Sequence, residues 1–168
     1  AGTNRIVIYA DALNGSAIDE NRVNDTARTF YNLLSPVPGP ITQNFEATTF
    51  PPTNWRVINP NSGSITWVKT PSTTVAYTGT GSAFINLYNY DVVNHLDYLV
   101  APPMNTTGAD SVFVGFWRAY RTYSTNAGDH DTLMLMISTD CGTTFPITAW
   151  KKGGNELATV AGVTGNVN

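Results

Sequence analysis

Thr132 to Ile137 reads Thr-Leu-Met-Leu-Met-Ile, a nearly unbroken apolar run, and it stops abruptly at Ser138-Thr139-Asp140-Cys141-Gly142. A run this short, ended by small turn-forming residues, fits a strand covered on both faces; a helix would need about ten residues or more. Just upstream lies Ser111 to Tyr120, Ser-Val-Phe-Val-Gly-Phe-Trp-Arg-Ala-Tyr. Alternation along it sends Val112, Val114 and Phe116 one way and Phe113, Trp117 and Ala119 the other, with Gly115 as a bulge or a point of close approach. These two segments hold the densest apolar content in the chain. They are expected to lie side by side as interior strands of two stacked sheets.

The rest of the chain repeats the pattern more weakly. Ile41 to Phe45, Arg56 to Ile58, Ile65 to Lys69, Gly81 to Tyr88 and Asp97 to Val100 read as short strands, with Gly, Pro and Asn clusters between them. Turn signals every ten residues or so predict an all-β chain, a sandwich or jelly roll of antiparallel sheets. The side chains agree: 24 Thr suit strands and 17 Asn suit turns. No amphipathic helix or internal repeat is visible.

Residues 1–35 stand apart. Arg5 to Ala10 is a strand candidate, Asp11 to Asp25 a polar loop and Ala27 to Leu34 a second apolar segment. Residues 36–40, Pro-Val-Pro-Gly-Pro, then read as a stiff linker. Two strands make no independent domain, so residues 1–35 are expected to be the end of a preceding domain and 41–168 the main module.

The charge pattern excludes some functions. Only 12% of residues are charged, the net charge is −3, and the one basic cluster is Lys151-Lys152, so there is no footprint for nucleic acid. No apolar run approaches the roughly eighteen residues of a membrane span. Cys141, the only cysteine, cannot make an internal disulfide and is expected to be a half-buried thiol at a turn, or to pair with a cysteine outside this chain. Nucleophile elbow, zinc-protease helix and phosphate loop are all missing. Gly128-Asp129-His130-Asp131 invites an acid–base reading, but a histidine at the rim of the sheet explains it as well. A carboxylate pair drawn from Glu46, Asp97 and Asp131 stays open for glycoside hydrolysis, although nothing marks it out.

Binding chemistry is more visible than catalysis. Tyr88, Tyr90, Tyr120 and Tyr123 lie near the ends of the predicted strands, and Asn86-Leu87-Tyr88-Asn89-Tyr90 has the amphipathic character of a recognition loop. Trp55 and Trp117 read as packing residues. Hard cations take oxygen ligands from irregular loops, which makes Glu46, Asp131, Asp97 and Asp129 the candidates for a structural Ca²⁺.

Taken in order, Phe45-Glu46, Phe50-Pro51-Pro52-x-x-Trp55, Asn59-Pro60, Thr66-Trp67, Asp97-x-Leu99-x-Ala101-Pro102 and Ser138-Thr139-Asp140-Cys141-Gly142 resemble one module. It is the MAM-like jelly roll of large secreted Bacteroidota proteins, called choice-of-anchor J or cleaved adhesin, of the fold class that includes gingipain adhesin domains. The resemblance covers roughly residues 40–160, and Asn14-Gly15, Asp19-Glu20-Asn21 and Asn24-Asp25 are similar to the end of an Ig-like domain. It implies a non-catalytic adhesion, ligand-binding (carbohydrate included) or spacer module, exported by type IX secretion to the exterior or outer-membrane surface of a Gram-negative bacterium. Its partners would be other domains of the parent protein, glycans, host or cell-surface proteins, or the secretion machinery. It also implies a Ca²⁺ beside Glu46, and Asp-Ser/Thr-apolar triplets for O-glycosylation, of which Thr26, in the polar loop, is the candidate. Two other roles fit it: an accessory domain of a zinc metallopeptidase whose catalytic domain lies upstream, and structural cargo or a filament component, as in gliding. The family's final strands have no counterpart here, so the module is expected to be truncated, with one edge of the sandwich open.

Overall fold

Apolar runs this short, interrupted this often, can sustain only short ladders. A computed structural model of the chain describes residues 3–9, 26–32, 35–70, 72 and 74–160. The chain divides into two compact units, Ala1–Pro36 and Val37–Asn168.

In the first unit β1 (Thr3–Tyr9) pairs antiparallel with β2 (Thr26–Asn32), in a register running from Thr3 opposite Asn32 to Tyr9 opposite Thr26. Thr26 is therefore the first residue of a strand and not part of a polar loop. Residues 10–25, which hold the Asn14-Gly15 and Asp19-Glu20-Asn21 sequences, lie outside the described residues.

The second unit contains β3 (Val37–Pro38), β4 (Arg56–Ile58), β5 (Val68–Lys69), β6 (Ala83–Phe84), β7 (Tyr98–Val100), β8 (Met104–Asn105), β9 (Thr132–Ile137), β10 (Ile147–Gly153) and α1 (Gly154–Leu157). β4 pairs with β7, β5 with β6 and β9 with β10, all antiparallel, while β3 and β8 pair in parallel. Among the described residues, helix is confined to α1 and single 3₁₀ turns at Leu87–Asn89 and Ala127–Asp129. The fold is all-β, built from small, mostly antiparallel two-stranded sheets with no closed barrel. Among the described residues no helix is long and apolar enough to cross a membrane.

Several predicted strands are shorter or absent, each for a local reason. Ile41 to Phe45 forms no strand: Gln43 Oε1 and Asn44 Oδ1 accept the N–H groups of Phe45 and Glu46, and Phe45 sits at φ 59°. Side-chain acceptors two residues back compete with a sheet ladder for the same donors. Gly81 to Tyr88 keeps only β6 before the 3₁₀ turn. Within the expected linker, Val37 and Pro38 are paired: the Val37 N–H donates to Pro103 O at 2.8 Å. Proline cannot donate in a ladder, and this pairing asks only Val37 to do so.

The main correction concerns Val112–Tyr120. β9 lies where expected, but its partner is β10, the next strand in the chain. Asp140 turns the chain between them, accepting the N–H groups of Thr143 and Thr144 at 3.1 and 2.9 Å. That short loop brings β10 onto β9 with little closure entropy. Residues 112–119 make no backbone hydrogen bond among the described residues. Their side chains are open to solvent, with Phe113 93% and Trp117 73% exposed. Instead of packing in a core, Trp117 stacks flat on Tyr77 at a centroid distance of 3.8 Å.

Burial is thin elsewhere too. Trp55 does pack as expected, edge-on to Phe45 at 5.6 Å, and Phe50 meets the same ring tilted at 6.3 Å. Among the described residues, however, the one buried large apolar side chain is Leu157, 2% exposed, at the end of α1. Its carbonyl accepts a hydrogen bond from Arg118 Nη1, whose guanidinium also lies 5.7 Å from the Trp150 ring centre. Replacing Leu157 by Ala leaves a cavity at this one tightly enclosed point and is expected to lower unfolding free energy by about 3 kcal/mol in urea denaturation.

Candidate functional site

Asp131 immediately precedes β9, and its carbonyl accepts the Gly154 N–H at 3.0 Å, tying the start of β9 to the start of α1. Its carboxylate is half-buried; the Tyr120 hydroxyl donates to it at 3.2 Å, and the Tyr123 hydroxyl is close enough for the two groups to shift each other's ionisation. Tyr88 meets Tyr123 edge-to-face at 5.9 Å. Three of the four tyrosines singled out in the sequence thus gather around one of the four singled-out carboxylates. Tyr88 is the most open, 47% exposed. Asp129 closes the adjacent 3₁₀ turn and accepts the Ser124 hydroxyl at 2.7 Å. His130 Nε2 donates to Ser124 O at 3.1 Å, which makes it a strut of this loop at the rim of the sheet.

The electrostatics follow from this packing. Burial pushes Asp131 above the usual carboxylate range, against the lowering effect of the Tyr120 and Tyr123 hydroxyls. Burial also raises Tyr120, to about 12, and raises Tyr123, with Asp131 adding to both. Both phenols therefore stay protonated near neutral pH, as donors. The cluster presents aromatic edges, hydroxyls and one carboxylate, a set suited to hydrogen-bonding a neutral polar ligand.

Tyr90 belongs elsewhere. Its hydroxyl donates to Asp97 Oδ2 at 2.6 Å and lies 3.4 Å from His95 Nδ1. Hydrogen bonding to Asp97 and then burial raise the phenol to about 12. The Asp97 carbonyl accepts Trp67 Nε1–H at 3.1 Å, and its Oδ1 is buried without a hydrogen-bond partner. Asp97 thus positions two aromatic rings.

Glu46 has a third, separate task. Its carboxylate accepts the N–H of Thr80, the hydroxyl of Thr80 and the N–H of Gly81, each at 2.8 Å. From β5, Lys69 Nζ donates to the carbonyls of Glu46 and Ala47 at 3.0 and 2.9 Å. The approach is close enough to require glycine: a Cβ on Gly81 would lie 2.2 Å from Phe45 O, and Gly79, at φ 70°, would put one 2.3 Å from Glu46 Oε1. The Thr80 and Gly81 hydrogen bonds hold the carboxyl below its ordinary value.

A Ca²⁺ site needs six to eight converging oxygens, roughly. Glu46 is committed to Thr80 and Gly81, Asp97 to Tyr90, Asp131 to Tyr120 and Asp129 to Ser124. Among the described residues no group of three or more His, Cys, Asp or Glu is placed to hold a metal.

Sequence reasoning missed Lys69, Thr80 and Asp140. Asp140 accepts Ser138 Oγ, the N–H groups of Thr143 and Thr144, and Thr144 Oγ1, which together hold its carboxyl well below the usual range. Ser-Thr-Asp-Cys-Gly-Thr-Thr does carry the signal of such a turn, an acidic side chain followed by small donors. Cys141, within it, sits at φ 58° and is exposed, where a half-buried thiol was expected.

No family model, curated protein or solved structure matches this chain. The site is therefore read from its geometry.

Two titrations test that geometry. Glu46, lowered in the fold, contributes stability above its unfolded value, and that contribution is lost as pH falls through the lowered one. Stability measured against pH should show this acid loss in the native protein and not in Glu46→Gln. Asp131 is raised, so its ionisation reduces stability as pH rises from the ordinary carboxylate value to the folded one. Tyr120→Phe removes a hydrogen bond that favours the ionised form and should move Asp131 higher still, read from its carboxyl carbon by NMR.

Proposed function

We propose that this chain is a non-catalytic ligand-binding module of a secreted, surface-associated protein. It is a β-sandwich of jelly-roll type whose loops carry the recognition chemistry. The observation that carries the reading is the grouping of Tyr88, Tyr120 and Tyr123 around Asp131. Such a cluster suits a carbohydrate: aromatic faces stack on the apolar face of a sugar ring, while a carboxylate and phenolic hydroxyls pair with its hydroxyls. Tyr120 and Tyr123, kept protonated, serve as fixed donors, and Tyr88 supplies the open ring.

Further support comes from composition. Few charges and many Thr and Asn give a neutral, hydrogen-bonding surface, and the resemblance to adhesin modules points the same way.

A glycan array, followed by calorimetry on any hit, tests the proposal. The native protein should bind at least one glycan class, and Tyr88→Ala should weaken that binding by about tenfold, the loss of one stacking contact. A blank array, or a hit indifferent to both Tyr88→Ala and Tyr123→Ala, would remove the carbohydrate reading.

A further inference from the structure

Among the described residues the most exposed apolar run is the segment from Val112 to Trp117. Every side chain in it faces solvent, and its amides and carbonyls have no partner among the described residues. The neighbours of its side chains alternate as an extended chain requires. Phe116 meets Trp150 edge-on at 5.4 Å and Arg118 reaches the same ring, while Trp117, between them in sequence, stacks on Tyr77. An extended, β-branched and aromatic segment with free backbone groups is a template for one more strand. The open stretch has a definite end: the Tyr120 N–H donates to Thr159 Oγ1, and Tyr120 O accepts the Thr159 N–H.

We propose that this edge is a self-association surface, occupied by residues 112–118 of a second copy of the chain running antiparallel. The segment is self-complementary about Gly115. In that register Gly115 faces Gly115, Val114 faces Phe116, Phe113 faces Trp117, and Val112 faces the aliphatic stem of Arg118. The two Phe113–Trp117 pairs are aromatic cross-strand pairs, among the stabilising kinds in antiparallel sheets. Each Phe113 joins the face on which its partner's Trp117 stacks with Tyr77. Nothing lies within 4 Å of where a Cβ on Gly115 would be, so the two backbones have room to meet there. Charge does not oppose the contact: Arg118 is the one charged residue in the segment, and its guanidinium is already held by Leu157 O and Trp150. A two-fold pairing of this kind closes on itself as a dimer. Residues 161–168, Ala-Gly-Val-Thr-Gly-Asn-Val-Asn, offer only Val163 and Val167 as large apolar side chains and match this edge poorly.

Sedimentation velocity over a dilution series, with cross-linking, tests the proposal. The native protein should sediment as a monomer–dimer equilibrium. Phe113→Lys, which places a charge opposite Trp117 of the partner copy, should weaken the dimer by about tenfold or more while leaving the far-ultraviolet circular dichroism unchanged. In a Cys141→Ser background, Gly115→Cys should form an intermolecular disulfide on mild oxidation, because that residue faces itself, and Phe113→Cys should not. A native protein monomeric throughout the series would overturn the proposal. So would equal cross-linking at positions 113 and 115, or a dimer indifferent to Phe113→Lys. Glycan binding by a monomer would leave the reading of the tyrosine cluster standing, so the two can fail separately.

Discussion

The carboxylate of Glu46 ties its own loop, which belongs to no ladder, to the chain that leads into β6. It takes two backbone N–H groups and one hydroxyl from Thr80 and Gly81, while Lys69 secures the carbonyls of Glu46 and Ala47. A buried or half-buried backbone amide must find an acceptor, and a chain with strands this short cannot supply enough of them from sheets. Glu46 meets that obligation for the 79–81 loop. Asp140 meets it for the β9–β10 turn, and Asn59 for its own loop, through reciprocal bonds with Gly63 at 2.7 and 3.1 Å. The fold is organised by side chains that replace missing ladder partners.

This has a consequence for how stability is distributed. Apolar burial, which in most folds contributes more than any other interaction, is here complete only at Leu157 among the large apolar side chains described; Phe45, Phe50, Trp55 and Leu133 to Met136 are half-buried. Charge-assisted hydrogen bonds carry much of the loop definition, so the acidic limb of the stability profile reports on loops more than on the sheet. The tyrosine cluster works differently. There the carboxylate is the costly member, pushed up by burial, and the phenols compensate it. A site poised in this way gains from a ligand whose hydroxyls add further donors to Asp131.

The contrast between β9 and the 112–118 segment shows how far periodicity reaches. Both are short and apolar, and both read as interior strands. β9 is paired because Asp140 and its neighbours fold the chain straight back onto it. The 112–118 segment has no such local device: the strand that would pair with it must come from a distance, and none among the described residues does. Similarly, Ile41 to Phe45 has the composition of a strand, yet Gln43 and Asn44 take the amides first. The candidate site was legible in its parts, as Tyr88, Tyr120, Tyr123 and Asp131, and illegible as an assembly. Glu46 was singled out for its chemistry, although the partners that define its role lie more than thirty residues away.

Alone, the sequence determined the all-β class, the position of β9 and the turn that follows it. Each of these rests on local alternation, turn chemistry or residue type, which need no knowledge of distant neighbours. Tertiary structure decided which strand pairs with which, which carboxylate each tyrosine meets, and that the apolar 112–118 segment faces solvent. Those outcomes depend on contacts between residues far apart in the chain, and hydrophobicity says that a segment seeks cover without saying what will cover it.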